Sequence, residues 1–572
     1  MRFVPAFEWV RRYDRRDLRF DLAAGITIAA MLVPQGMAYA LLAVLPPEVG
    51  LYAATIPVLV YAVFGTSRQL AVGPVAIVSL LTASALAPLV EEGTSGYLAA
   101  AALLALMVGI VHLVLGFGRL GFLVNFLSHS VLVGFTAAAA IIIGFSQVKH
   151  LLGISFPRQE RFVDTVGEVI GGLGDSHGPT LAIAGASLAA LLVLKRVMPR
   201  LPGALLVVIG STLAVELLDL EADGVKVVGG IPDSLPAFAL PDVSSSLIGD
   251  LLTAALVITL VGFMESIAVA KVYARRHRYD VDANQELIGL GAANVAAGLF
   301  GGYPVTGGFS RTAVNDTAGA RTPLASIVTA VLVLVTVAFL TPLLESLPRA
   351  ALGAIIIVAV AGLIDVAEMR HIARVKRTDL IGLSVAFVAT LVLGIEIGIA
   401  VAVVASMLVV FARMSTPHTA ELGRIPGTTS FRNVERFPEV ERFDDVVVLR
   451  VDAALSFINA AHVKALLLAA ADRTPTPQAV VLDASGINDV DATGVEMLHE
   501  LLPEFDDRGV TLHVADLKGP VRDVLHRAAL WTALDARVHP TTHDAVEAAQ
   551  GRVTDAVGPR ERGLDERPVV GA

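Results

Sequence analysis

The chain has 572 residues, with 53 acidic and 43 basic side chains, a formal net charge of −10, no cysteine, and 55% apolar against 17% charged residues. Its mean hydropathy is +0.71, and a water-soluble chain carries about a quarter of its residues charged, so much of this one is built for a bilayer. The missing cysteines exclude disulfides, thiolate metal sites and a cysteine nucleophile, and the acidic balance without a long Lys/Arg tract argues against nucleic acid as a partner.

Residues 1–20 form a basic N-terminal segment with Arg11, Arg12, Arg15, Arg16 and Arg19. Ala38-Tyr39-Ala40 mimics a cleavage site. Asp14, Asp17 and Asp21 among the arginines, Pro34-Gln35-Gly36 within the apolar stretch and the spans that follow speak for retention. From Ala23 to Phe411 apolar runs dominate, and a bilayer core about 30 Å thick needs about 20 helical residues. Spans are expected at Leu98–Phe117, Leu181–Leu194, Leu205–Leu217, Leu251–Ala270, Ala325–Phe339, Leu352–Ile364, Leu380–Leu393 and Ile397–Phe411. Interrupted segments lie at Leu22–Ala40, Leu51–Phe64, Leu70–Leu86, Phe122–Phe145 and Leu287–Ser310, for twelve to fourteen spans in all. Basic residues cluster at the N-terminus, at Lys195-Arg196 with Arg200, at Lys271 to Arg278 and at Arg370 to Arg377. The positive-inside rule then places the N-terminus, those turns and the C-terminal tail in the cytoplasm.

Two pairs of segments are alike at a distance. Val33-Pro34-Gln35-Gly36 is expected to break one helix and Val72-Gly73-Pro74-Val75-Ala76 to open another; Gly262-Phe263-Met264-Glu265-Ser266 and Pro304-Val305-Thr306-Gly307-Gly308-Phe309-Ser310-Arg311 repeat the arrangement. Gly/Pro-interrupted segments in corresponding positions of two halves mark an inverted-repeat transporter. A helix beginning inside the membrane points free N–H groups and a positive dipole end at a cavity, which favours an anion. The two starts, at Gly73–Ala76 and Gly307–Ser310, would converge on one such site.

Arg311 follows the second start directly, and its guanidinium suits an oxyanion; an ion pair with Asp316 is the alternative. Glu265 lies in an apolar stretch where an ionised carboxylate is costly and a cation such as Arg311 would offset the cost. It is therefore the candidate proton carrier, with a permanently paired structural carboxylate as the alternative. Sodium needs several oxygens, and the turn after Glu265 supplies only Ser266 before Ile267, Ala268 and Val269. Gln35 and Tyr39 share one helix face and can both donate to an oxyanion.

After Arg413 the pattern changes to alternating strands and helices: strands at Val446–Val451, Ala479–Leu482 and Val510–Val514, helices at Ala460–Ala471, Val495–Leu502 and Val521–Ala529. A small α/β domain follows, with no phosphate loop for nucleotide hydrolysis. From Gly551 onward the composition predicts a disordered tail.

The chain resembles the sulfate permease (SulP) family of anion transporters over nearly its whole length. The resemblance rests on Val33-Pro34-Gln35-Gly36-Met37-Ala38-Tyr39-Ala40, Gly65-Thr66-Ser67-Arg68-Gln69-Leu70-Ala71-Val72-Gly73-Pro74 and Gly308-Phe309-Ser310-Arg311-Thr312-Ala313-Val314-Asn315. The tail resembles a STAS domain through Leu482-Asp483-Ala484-Ser485 and Asp491-Ala492-Thr493-Gly494. The resemblance implies an α-helical polytopic membrane protein of fourteen segments, as two inverted repeats of seven with core and gate subdomains. It also implies a homodimer with cytoplasmic STAS domains. The expected organisation is a membrane domain over 21–412, a linker over 413–442, a STAS domain over 443–550 and a disordered tail over 551–572. The substrate would contact Gln35, Tyr39, Val75, Ala76, Gly308, Phe309, Ser310 and Arg311. Met264 to Ala270 is similar to proton-coupled sulfate members, in which the acid at Glu265 carries the proton. Sodium–bicarbonate members place hydroxyls a turn beyond the acid, where this chain has Val269. Thr493 matches a Ser or Thr phosphorylated in sigma-regulatory STAS proteins, although a helix N-cap accounts for a Thr there without any kinase.

The expectation is thus a non-enzymatic, cofactor-free secondary transporter of the cell membrane, taking up sulfate with protons by alternating access. A cytoplasmic STAS-binding protein is an expected further partner. The alternatives are a sodium-coupled bicarbonate or C4-dicarboxylate carrier, or a chloride/anion exchanger or channel.

Overall fold

A computed structural model describes residues 4–122, 128–156, 162–198, 202–230, 235–241 and 245–552. The chain divides into two units, Met1–Met407 and Leu408–Ala572. The first is helical. It opens with α1 (Ala6–Arg11), α2 (Leu18–Leu42), α3 (Pro47–Ala53) and α4 (Ile56–Phe64), then a two-residue strand β1 (Val72–Gly73) and α5 (Ala76–Leu86). Next come α6 (Ser95–Phe117), α7 (His129–Leu152), α8 (Phe162–Gly171), α9 (Gly178–Val197), α10 (Gly203–Leu217), α11 (Ser245–Arg276) and α12 (Ala283–Leu299). A second short strand, β2 (Thr306–Gly307), precedes α13 (Phe309–Thr317). The series ends with α14 (Leu324–Phe339), α15 (Arg349–Ala361), α16 (Val366–Val375), α17 (Arg377–Leu393) and α18 (Ile395–Ser415). Among the described residues seven helical stretches are long and apolar enough to cross a membrane, and shorter apolar helices, α5, α10 and α14 among them, accompany them.

The break expected at Pro34 does not occur: α2 runs unbroken from Leu18 to Leu42 with Pro34 inside it. Proline removes one helical hydrogen bond, and packing against α3, α14 and α15 holds α2 together across the gap. The segment Leu51–Phe64 divides instead, into α3 and α4. In the expected segment Phe122–Phe145, residues 123–127 lie outside the described residues, as does Arg200. Helices α6 and α12 cross so closely that a Cβ on Gly109 would stand 2.5 Å from the Val295 amide nitrogen, the small-residue contact that membrane helices use where no hydrophobic effect drives them together.

Buried carboxylates tie the connections down. Glu286, at the start of α12, accepts from the Tyr61 and Thr66 hydroxyls and the Thr66 N–H, each at 2.6 Å, and from the Ser67 N–H at 3.0 Å. It thereby fixes the loop that leads from α4 into β1. Asp21 accepts from the Arg321 and Thr322 N–H groups at 2.8 and 3.0 Å, joining α2 to the loop after α13.

The second unit carries a six-stranded sheet in the order β4-β3-β5-β6-β7-β8: β3 (Thr419–Arg424), β4 (Phe431–Asn433), β5 (Val446–Val451), β6 (Ala479–Asp483), β7 (Thr511–Ala515) and β8 (Val538–His539). The run β5 to β8 is parallel, and β3 pairs antiparallel with both β4 and β5. Strand alternation sorts the sheet faces: Val447, Leu449, Val480 and Leu482 pack under α19 (Ala460–Ala471), α20 (Ala492–Asp507) and α21 (Gly519–Arg527). Val446, Val448 and Val481 pack on α23 (Thr542–Ala549), which follows α22 (Trp531–Leu534).

Residues 413–442, expected as a linker, instead hold β3 and β4, so the sheet begins at Thr419. Short strands rich in Glu, Arg and Gly have weak strand propensity and form here through their pairing with β5. The expected N-cap role of Thr493 is also corrected: Asp491 caps α20, its carboxylate accepting the Gly494 N–H at 2.9 Å, and Thr493 sits exposed in the first turn. The tail from 553 lies outside the described residues.

Candidate functional site

Strands β1 and β2 pair antiparallel, Val72 with Gly307 and Gly73 with Thr306. Each leads into a half-helix, α5 from one side and α13 from the other, so the two N-termini meet at a common point. Gly73 has φ +149°, a conformation that residues with a Cβ rarely adopt. Neither helix start carries a side-chain cap: the N-cap positions are Val75 and Gly308. The first N–H groups of α13 therefore lack the partner a polar cap would supply.

Between these starts lies a cavity of about 30 Å³. From α2 it receives Gln35 and Tyr39, from the start of α5 Val75, Ala76 and Ile77, and from α13 and its approach Gly308, Phe309, Ser310 and Arg311. Glu265 of α11 faces it, and Ala359, Val360 and Leu363 at the end of α15 close it. Every residue singled out in the sequence for substrate and proton thus borders one space. The contribution of α15 was missed, because an Ala-Val pair at a helix end carries no chemical signature.

Arg311 is 2% exposed. Its Nη1 donates to the Pro74 carbonyl of the opposite half, while its Nε and Nη2 are buried with no hydrogen-bond partner among the described residues. The ion pair with Asp316 does not form: Asp316 binds Arg276 at 2.6 Å and also His277. Glu265 Oε2 is likewise buried and unpartnered, and no ion pair joins it to Arg311 among the described residues. Two guanidinium nitrogens and the two helix starts therefore converge on one small space, a donor set whose chemistry suits an oxyanion.

The next residue along α11 does different work. Ser266, fully buried, accepts the Gly307 N–H at 2.8 Å and bonds the Thr306 hydroxyl at 2.6 Å, while Thr306 donates to the Gly262 carbonyl at 2.6 Å. α11 thus holds β2, and with it the start of α13, through one turn that also carries Glu265. Among the described residues no three His, Cys, Asp or Glu side chains are grouped to hold a metal ion.

Residues 18–387 match the sulfate permease family and residues 437–545 the STAS domain. The chain is 38% identical over 567 residues to sulfate transporter 4.1, chloroplastic, of Arabidopsis thaliana, covering 95% of this chain and 82% of that one. It is 37% identical over 552 residues to a probable sulfate transporter of Mycobacterium tuberculosis, covering 96% and 98%. The solved structure of the murine Slc26a9 anion transporter in the inward-facing state is similar with a TM-score of 0.89 at 26% identity, over 96% of this chain and 94% of that one. The chain belongs to the sulfate permease family, a helical membrane transporter fold followed by a STAS domain.

Proposed function

We propose that the protein takes up sulfate together with protons, binding the anion at Arg311 between the starts of α5 and α13 and carrying the proton on Glu265. The observation that carries this reading is the pair of buried, unpartnered guanidinium nitrogens of Arg311 in a cavity lined by two uncapped helix starts. Relatives named sulfate transporters, similar over nearly the full chain, support sulfate as the substrate. Glu265 supports the proton: it shares the cavity with Arg311, and the hydroxyl beside it is engaged with Thr306 and Gly307 and not free to coordinate sodium. A neutral Glu265 leaves Arg311 to the anion, whereas an ionised one competes for it, so proton and anion enter together. Basic turns support a cytoplasmic N-terminus and STAS domain in the cell membrane. The protein works as a homodimer, and its STAS domain, with Thr493 exposed, is the docking point for a cytoplasmic partner.

The test is uptake of radiolabelled sulfate by the purified full chain in proteoliposomes, with and without an inward proton gradient and with competing anions. Sulfate should accumulate under the gradient in the absence of sodium. Uptake that ignores the gradient, or that prefers bicarbonate or chloride, overturns the assignment.

A further inference from the structure

The carbonyl at each half-helix start is wired in the same way. In α5 the Val75 carbonyl accepts the Ser79 N–H at 2.9 Å and also the Ser79 hydroxyl at 2.8 Å. In α13 the Gly308 carbonyl accepts the Thr312 N–H at 2.9 Å and the Thr312 hydroxyl at 2.8 Å. Each hydroxyl in turn meets a donor from the other half of the membrane unit. Ser79 Oγ lies 2.9 Å from the hydroxyl of Tyr303, on the approach to β2. Thr312 Oγ1 accepts the N–H of Ala71, on the approach to β1, at 3.0 Å. A hydroxyl has one proton, and Ser79 gives its own to Val75, so Tyr303 is the donor in the bond they share. Ser79, Thr312 and Tyr303 are all fully buried. Asn294 braces the approach that carries Tyr303, its side chain donating to the Val305 carbonyl at 2.9 Å and accepting the Val305 N–H at 2.8 Å.

Neither hydroxyl is needed to build the helix, since each carbonyl already holds the N–H four residues on. Ser and Thr often bond back to such a carbonyl, and Thr82 does so to Val78 within α5. Ser79 and Thr312 differ in their place, at the two helix starts, and in the donor from the opposite half behind each. The Val75 carbonyl shares a peptide unit with the Ala76 N–H, and the Gly308 carbonyl with the Phe309 N–H. All four residues border the cavity. Resonance couples the two ends of a peptide unit, and hydrogen bonds in a chain polarise one another. Donors added at the carbonyl therefore leave the N–H at the other end more positive and hold its direction.

Resting on the anion site described above, we propose that Ser79 and Thr312, with Tyr303 behind Ser79, are positioning residues of that site. They form two hydrogen-bond relays that cross between the halves and strengthen the Ala76 and Phe309 N–H groups as donors to the anion.

The experiment measures sulfate affinity of the purified full chain by calorimetry, and the kinetics of sulfate uptake in proteoliposomes. Tyr303→Phe cuts one relay without stranding a donor, because Ser79 still bonds Val75, and affinity should fall about threefold. KM should rise with the maximal rate unchanged, whereas a variant that only loses folded protein lowers the maximal rate and keeps KM. Ser79→Ala should weaken binding at least as much, and Tyr303→Phe added to it should cost nothing more, because the relay is already cut. Thr312→Val acts on the other relay, so its effect should add to that of Tyr303→Phe. Wild-type affinity in Tyr303→Phe, or independent addition of Tyr303→Phe and Ser79→Ala, overturns the proposal. Arg311→Ala separates it from the site itself. Lost binding there with an unchanged Tyr303→Phe removes the relay alone, while unchanged binding in Arg311→Ala removes the site and the relay together.

Discussion

Two helix starts of the membrane unit, those of α5 and α13, are finished in the opposite way to two of the STAS unit, those of α20 and α23. In the STAS unit Asp491 caps α20 and Thr541 caps α23, each side chain accepting an N–H of the first turn. In the membrane unit α5 and α13 begin at Val75 and Gly308 with no side-chain cap, and Arg311 stands beside them with two unpartnered nitrogens. A cap makes a helix start inert, since its orphan donors are taken up by the chain itself. Leaving two starts uncapped in a buried space costs stability, which an anion bound as proposed would restore. The site is as much an omission of polar side chains as an addition of one arginine.

The contrast is tested hardest by Glu265→Gln, which keeps size and hydrogen bonding but cannot ionise. Gradient-driven sulfate accumulation in proteoliposomes should vanish, while exchange of sulfate for sulfate persists. Full accumulation by the variant would remove Glu265 from the coupling step. Gly308→Asp converts the uncapped start into a capped one: the new Cβ would lie 2.9 Å from Arg311 Cζ, so the flexible arginine shifts and gains a carboxylate partner. An internal anion then occupies the site, and sulfate binding to the purified protein should be lost. Arg311→Ala removes the fixed charge instead. Truncating a buried charged partner costs about 2–5 kcal/mol, so affinity measured by calorimetry should fall at least tenfold in a protein that still folds.

Smaller effects sharpen the contrast. Ser266→Ala leaves the Gly307 N–H without its acceptor, while the Thr306 hydroxyl keeps its bond to the Gly262 carbonyl; losing a hydrogen bond of about 1 kcal/mol should weaken sulfate binding about fivefold. The start of α13 would be less firmly held, and Ser266→Thr, which keeps the hydroxyl, should restore part of the affinity. In the STAS unit Asp491→Ala should cost about 1 kcal/mol of that unit's stability, read as a lower thermal midpoint, with sulfate affinity unchanged. A change in affinity there would mean that the two kinds of helix start are not independent.

Much of this was legible in the residues. Apolar runs located the spans, because a bilayer imposes length and composition on any helix that crosses it. Residues such as Gln35, Tyr39, Glu265 and Arg311 were singled out because polar groups within apolar runs are conspicuous, and all of them border the cavity. The Pro34 break fails, since a helix packed on several neighbours tolerates one missing donor. Strands β3 and β4 went unseen because their stability comes from β5 and not from their own residues. At Thr493 the cap lay two residues earlier: Asp491 and Thr493 are both capping residues, and only backbone geometry chooses between them.

By itself the sequence determined composition, span and polarity: a bilayer-embedded part, a soluble α/β part, and a short set of polar groups in apolar surroundings. Only the tertiary structure decided which groups are partnered. Asp316 pairs with Arg276 and not with Arg311, Glu286 pins the approach to β1, and Val72 meets Gly307 from the other half of the membrane unit. Such choices rest on distances between segments remote in sequence, and hydrogen-bond geometry, which local periodicity does not encode, sets them.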